Sequence, residues 1–145
     1  MADTLFTLVF VLAAPFWFLM IVLPRWRWTV TIMKSPLIAL PAAACYVILL
    51  VPQFGTVLTA VSRPDIEAVS ALLATPEGAA LGWAHFIAFD LFVGAWEYRD
   101  SRRRGVHPLV MAPILLVTIL LAPLGFVLYL AVRAVWPRSR TEAAG

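Results

Sequence analysis

The chain has 145 residues, of which 63% are hydrophobic and only 13% charged, where soluble globular domains average about 25% charged. That balance excludes a soluble domain and leaves one small all-α integral membrane domain over residues 1–145. The net charge of +3 comes from arginines between the apolar runs, an orientation signal first and a sign of anionic lipid contact second. No separate basic domain exists to hold nucleic acid, so no nucleic-acid partner is expected.

The first apolar span is expected over 5–23, with Pro15 inside it and Phe16, Trp17 and Phe18 following. Membrane helices tolerate internal proline when neighbours or local adjustments satisfy the freed carbonyl. Asp3 stands where a signal peptide would carry basic residues and the apolar run is a full span, so a retained span is expected rather than a leader. Pro24-Arg25-Trp26-Arg27-Trp28 reads as an interface anchor, with tryptophans at headgroup depth and cations in water; a lipid-headgroup site is the alternative. Ser35 followed by Pro36 is a helix start, a cap residue and then proline at the first helical position.

The second span is expected over 36–61, with Pro41 and Pro52 inside. Tyr46 and Gln53, seven residues apart, share a face and either line a cavity or bond a neighbouring helix. Lone Cys45 lies in this apolar run and reads as a small buried hydrophobe. Over 63–74, Ile66, Val69 and Leu73 fall on one helical face with Asp65 and Glu67 off it, which predicts a short interfacial helix. Thr75-Pro76 repeats the cap-then-proline start and opens the third span, 76–98. A basic loop follows over 99–107, then a fourth span over 108–132 with Pro113 and Pro123 inside, and a disordered tail over 137–145.

The expected fold is therefore a four-transmembrane-helix bundle with one interfacial helix between spans two and three. Four spans put both termini on one side, with seven Lys and Arg in the loops at 24–35 and 99–107 and four elsewhere. The positive-inside rule then places those two loops in the cytoplasm and both termini in the periplasm. Prolines at 36, 41 and 52 and again at 108, 113 and 123 hint at two repeated hairpins. The general frequency of proline in membrane helices accounts for them more simply.

The third span is the one that carries ionisable residues in its interior, His85 and Asp90. Such groups are costly in a bilayer and are functional candidates by default. At 3.6 residues per turn Asp90, Gly94 and Glu97 share a face with Trp83 and Ile87. His85 falls roughly 140° away from Asp90, beside Gly78, Gly82, Phe89 and Phe92. Gly78-x-x-x-Gly82 is a small-residue packing motif. A carboxyl group and an imidazole in an apolar site can act as general acid and base; hydrogen bonding between helices is the structural alternative. With two histidines at different depths and no His/Cys/Glu cluster of suitable spacing, no metal site is expected and a bis-histidine haem is disfavoured.

Trp83-Ala-His85-Phe-Ile-Ala-Phe-Asp90-Leu-Phe-Val-Gly94, Tyr98-Arg-Asp100-Ser, Pro123-Leu-Gly125, Pro24-x-Trp26-x-x-Thr29 and Ser35-Pro36 together resemble the abscisic-acid-deficient-four-like family. These are small membrane proteins named for a chloroplast member required for neoxanthin synthesis. The resemblance implies an isomerisation of an epoxy-carotenoid, in which the epoxide opens and a proton leaves a neighbouring carbon. That chemistry needs an acid and a base but formally no redox cofactor, so no cofactor is expected. It implies a carotenoid or isoprenoid isomerase with His85 and Asp90 as catalytic residues. The expected substrate-binding residues are Trp83, Phe86, Phe89, Gly94, Glu97, Tyr46 and Gln53. The partners implied are a hydrophobic lipid or carotenoid ligand and membrane lipids, with a homo-oligomer or larger membrane complex open. The alternative is a non-catalytic carotenoid-binding or accessory subunit of a pigment complex. The absence of an Arg/Ser-rich transit segment, with the Ala/Arg-rich composition, points to a bacterial inner membrane.

Overall fold

The computed structural model describes residues 1–136, and the described chain is helical; the tail expected over 137–145 lies outside those residues. Helix α1 spans Ala2–Val22 and passes through Pro15 without a break. A short helix α2, Arg27–Ile32, occupies what the sequence suggests is a loop. The second apolar stretch is helical over Pro36–Ser62, but in pieces. Ser35 Oγ accepts the Leu37 N–H at 3.2 Å and opens a 3-10 turn. Helix α3, Leu40–Leu50, is followed by a 3-10 turn at Pro52 and then by α4, Phe54–Ser62. In that turn Gln53 Nε2 donates to the Leu49 carbonyl at 3.0 Å, a side-chain substitute for backbone pairing where proline interrupts the ladder.

Asp65 caps α5, Ile66–Leu73, by accepting the Ala68 N–H. Ile66 and Leu73 on that face are exposed. Thr75 caps α6, Pro76–Arg103, its Oγ1 accepting the Gly78 N–H at 3.0 Å. The Gly78-x-x-x-Gly82 motif serves this corner. A Cβ on Gly78 would lie 2.7 Å from the Leu72 carbonyl carbon, and one on Gly82 would lie 3.2 Å from Leu73 Cδ2. The two glycines let the end of α5 sit against the start of α6.

Helix α6 does not stop at residue 98. It runs one turn further and absorbs Arg99, Arg102 and Arg103 into its last turns, so most of the expected basic loop is helix. The stop is made by Gly105 at φ 70°. Val106 N–H donates to Ser101 O at 3.0 Å and Gly105 N–H donates to Arg102 O at 3.1 Å, the paired bonds of a Schellman cap. Cations in that last turn also complement the negative end of the helix dipole.

The fourth span, expected as one helix over 108–132, is instead a tight helical hairpin. His107 caps α7, Pro108–Leu120, and Pro113 lies inside that helix. At Leu121 the backbone leaves the helical region (φ −147°, ψ 69°), and α8 begins at Ala122 and runs to Val135. Pro123 in the first turn of α8 has no N–H to continue the α7 ladder. The chain then folds back. A Cβ built on Gly125 would lie 2.6 Å from both the Cα and the N of Thr118, so only glycine allows the two backbones to meet there. Neither arm has the roughly 20 residues that a helix needs to cross a bilayer. Among the described residues three helices are long and apolar enough for that, Ala2–Val22, Pro36–Ser62 and Pro76–Arg103.

The chain packs as two compact units, Met1–Ala14 with Ala39–Phe89, and Pro15–Ile38 with Asp90 onward. The first unit buries small residues, among them Ala13, Ala42, Cys45, Ala60, Ala80, Ala84 and Ala88, which permits close helix approach without a large apolar payload. The second buries larger ones, including Trp17, Met20, Met33, Leu91, Leu115 and Tyr129. There Gly94 is spent on packing: a Cβ on it would come within 2.6 Å of Trp17 Cζ3.

Candidate functional site

In the first unit α6 meets α3 along the face shared by Tyr46 and Gln53. The Tyr46 ring lies 5.7 Å from His85, and Gln53 Nε2 reaches the Glu77 carbonyl at 3.4 Å. His85 is exposed and makes no hydrogen bond among the described residues. Its imidazole is ringed by aromatics instead, with Phe89 at 4.9 Å and Phe86 at 6.0 Å. Both phenylalanines are themselves exposed, at 58% and 59%. The structure therefore brings four of the expected site residues, Tyr46, His85, Phe86 and Phe89, into one outward-facing patch.

Gln53 also lines a cavity of about 980 Å³ at the end of the same unit. Its walls mix Leu49, Ala60, Ala68 and Leu72 with the hydroxyls of Thr56, Thr59 and Thr75, and with the charged Arg63 and Glu77. Eight residues of helix, about 12 Å, separate Glu77 from His85. Trp83 meets helix α1 in the same unit. It stacks on Phe6 with centroids 5.2 Å apart, and its buried Nε1 has no acceptor among the described residues.

The second unit contains a polar cluster that the sequence reading only grazed. Glu97 is fully buried. Its Oε2 lies 2.9 Å from Thr118 Oγ1, which is also 3.0 Å from the Ile114 carbonyl. One hydroxyl proton cannot serve both acceptors, whereas a neutral Glu97 carboxyl group donating to Thr118 satisfies the set. Glu97 Oε1 is buried without a partner among the described residues.

One turn on, Asp100 Oδ2 accepts from Tyr129 Oη at 2.6 Å, Arg104 Nε at 2.8 Å and Arg133 Nε at 2.9 Å. Trp96 braces this cluster, edge-on to Tyr129 at 5.4 Å and beneath the Arg133 guanidinium at 5.8 Å. Thus α8 is fastened to α6 by a carboxylate hub, and α7 by Thr118. The i,i+4 pairs Asp100/Arg104 and Tyr129/Arg133 are visible as helix-spaced partners. Nothing in the sequence marks Thr118. Asp90 is half-buried and has no hydrogen bond or ion pair among the described residues.

Compared with known proteins, residues 4–129 match the family model described as ABA DEFICIENT 4-like. The match covers most of the chain, which therefore belongs to that family. No curated protein and no solved structure matches it.

Proposed function

We propose that this ABA DEFICIENT 4-like protein acts on a carotenoid or related isoprenoid lipid within the membrane, as a cofactor-independent acid–base isomerase. The observation that carries the reading is His85. It is an exposed ionisable ring at mid-span, engaged in no hydrogen bond among the described residues, and set among three aromatic rings. A group so placed is costly in lipid and lies outside the buried core, which favours a functional use. Flat aromatic faces suit a conjugated polyene, and the 980 Å³ cavity, about 12 Å along α6, offers hydroxyls and an amide to an oxygenated end group.

In this reading a carboxyl group, Asp90, delivers a proton to the epoxide oxygen as the C–O bond breaks. His85 removes a proton from the neighbouring carbon, and that C–H electron pair forms the new double bond. Atoms and electrons balance without an oxidant. General acid–base groups typically contribute about 10²–10⁴-fold, so His85→Ala and Asp90→Ala should each lower product by at least about 100-fold. Pigment extracts of a deletion strain carrying each variant, separated by chromatography, measure this beside immunoblots of the membrane fraction. Full product from both variants would sink the assignment. A bound pigment with an unchanged pigment profile would favour the second reading, a carotenoid-binding accessory subunit, which the same aromatic patch also supports.

The hairpin also supports a topology different from one with four spans. With three crossings, the loop at 24–34, the end of α6 and the end of α8 share one side, and the N-terminus shares the other with α5. Hydrogen bonds from Tyr98 and Arg102 to Pro24 O, and from Arg104 to Trp136 O, tie the first group together. Among the described residues, eight of the nine Lys and Arg then lie on that side, with Arg63 alone opposite, and the positive-inside rule favours that side in the cytoplasm. In a Cys45→Ser background, Glu67→Cys should react with an impermeant thiol reagent in intact cells. Arg103→Cys and Trp136→Cys should react only after permeabilisation. Labelling of Trp136→Cys in intact cells would restore the fourth crossing.

A further inference from the structure

We propose that the second unit holds a phosphate-binding site at the end of α6, between the first loop and the start of α7. A cavity of about 210 Å³ opens there, walled by Arg25, Arg102 and His107, with Ser101 beside them and Met20 and Met111 buried in its floor. None of its described lining residues is acidic. The nearby carboxylate, Asp100, is bonded to Arg104 and Arg133, so the cavity's own two arginines have no ion-pair partner among the described residues.

Arg102 is fixed in place. Its Nη1 donates to the Pro24 carbonyl at 2.8 Å, its guanidinium lies 5.7 Å over the Tyr98 ring, and Tyr98 Oη holds the same carbonyl at 2.6 Å. That leaves the remaining guanidinium N–H groups in a preset orientation, the fork geometry suited to a phosphate. His107 Nδ1 accepts the Leu109 N–H at 3.2 Å, which makes Nε2 the N–H-bearing nitrogen and hence a donor. Arg25 makes no hydrogen bond among the described residues and adds a second positive group to the lining.

Size and setting narrow the ligand. The volume is below the range of about 300–1,000 Å³ that encloses a drug-sized molecule, so a headgroup fits and a polyene does not. The exposed Trp26 and Trp28 beside it mark headgroup depth. The chemistry recognised is a phosphate monoester or diester, supplied either by an anionic phospholipid or by free phosphate. Neither His85 nor the large cavity of the first unit takes part, so this site stands or falls independently of the isomerase reading.

The test uses the full chain in phosphatidylcholine nanodiscs with and without phosphatidic acid, followed by native mass spectrometry after release into detergent. Phosphatidic acid should stay bound to the parent protein. Arg25→Gln should retain about fivefold less, the factor expected for one cation near an anionic headgroup. Arg27→Gln, with the same charge change two residues away and outside the cavity, should retain as much as the parent. Displacement by inorganic phosphate at fixed ionic strength would support recognition of the phosphate group itself. Phosphate binding with the same Arg25 dependence but no lipid retention would support free phosphate as the source. Equal loss in Arg25→Gln and Arg27→Gln, or no binding of either probe to the parent, would overturn the site.

Discussion

Asp100→Ala is expected to destabilise the protein by about 3 kcal/mol or more, the scale for removing one partner of a buried ion pair. The carboxylate holds three donors on a single oxygen, and its loss strands a buried phenol and the Arg104 guanidinium, whose side chain is only 10% exposed. Arg133 is 38% exposed and can turn to water, so its share is small. Thermal unfolding in detergent, followed by circular dichroism, reads the effect. Tyr129→Phe removes one of the three bonds and should cost about 1 kcal/mol. That order, Asp100→Ala well above Tyr129→Phe, is what a hub predicts. An Asp100→Ala protein that melts with the parent would mean that α8 is held by apolar packing alone.

Gly125→Ala is expected to be strongly destabilising. The added Cβ would meet the backbone Cα and N of Thr118 at 2.6 Å. Backbone inside a helix cannot step aside as a flexible side chain can, so α8 must separate from α7. Overpacking in a formed core costs roughly 1–3 kcal/mol, and the upper part of that range is expected because the bond between Thr118 and Glu97 is disturbed as well. The contrast is Gly55→Ala in α4, where nothing lies within 4 Å of the new carbon. There alanine should stabilise by about 0.5–1 kcal/mol through helix propensity alone. Opposite shifts in melting temperature for the same chemical change would confirm the closed hairpin; equal shifts would show that α7 and α8 are not in contact at Thr118.

The long apolar spans, family membership and the helix starts at Pro36 and Pro76 were legible in the residues, because each rests on local information. Apolar length needs no partner to be read, Thr75-Pro76 is a cap by its own chemistry, and the family motif is contiguous from Trp83 to Gly94. The aromatic surroundings of His85 were half visible: Phe86 and Phe89 follow from helix spacing, while Tyr46 needed α3 to arrive. Three things were decided only by tertiary structure. The first is the extent of α6, whose charged last turns look like a loop until the Gly105 cap and the Pro24 contacts are in place. The second is the Asp100 hub, which joins residues 29 and 33 positions apart. The third is the fate of the last apolar run. Pro52 and Pro123 interrupt similar sequences, yet the chain continues after Pro52 and doubles back after Pro123. Two residues past Pro52 stands Phe54, whose side chain would block the backbone contact that Gly125 makes possible. A break in a helix is written in proline, but whether the chain turns there depends on whether a distant backbone can fit against it.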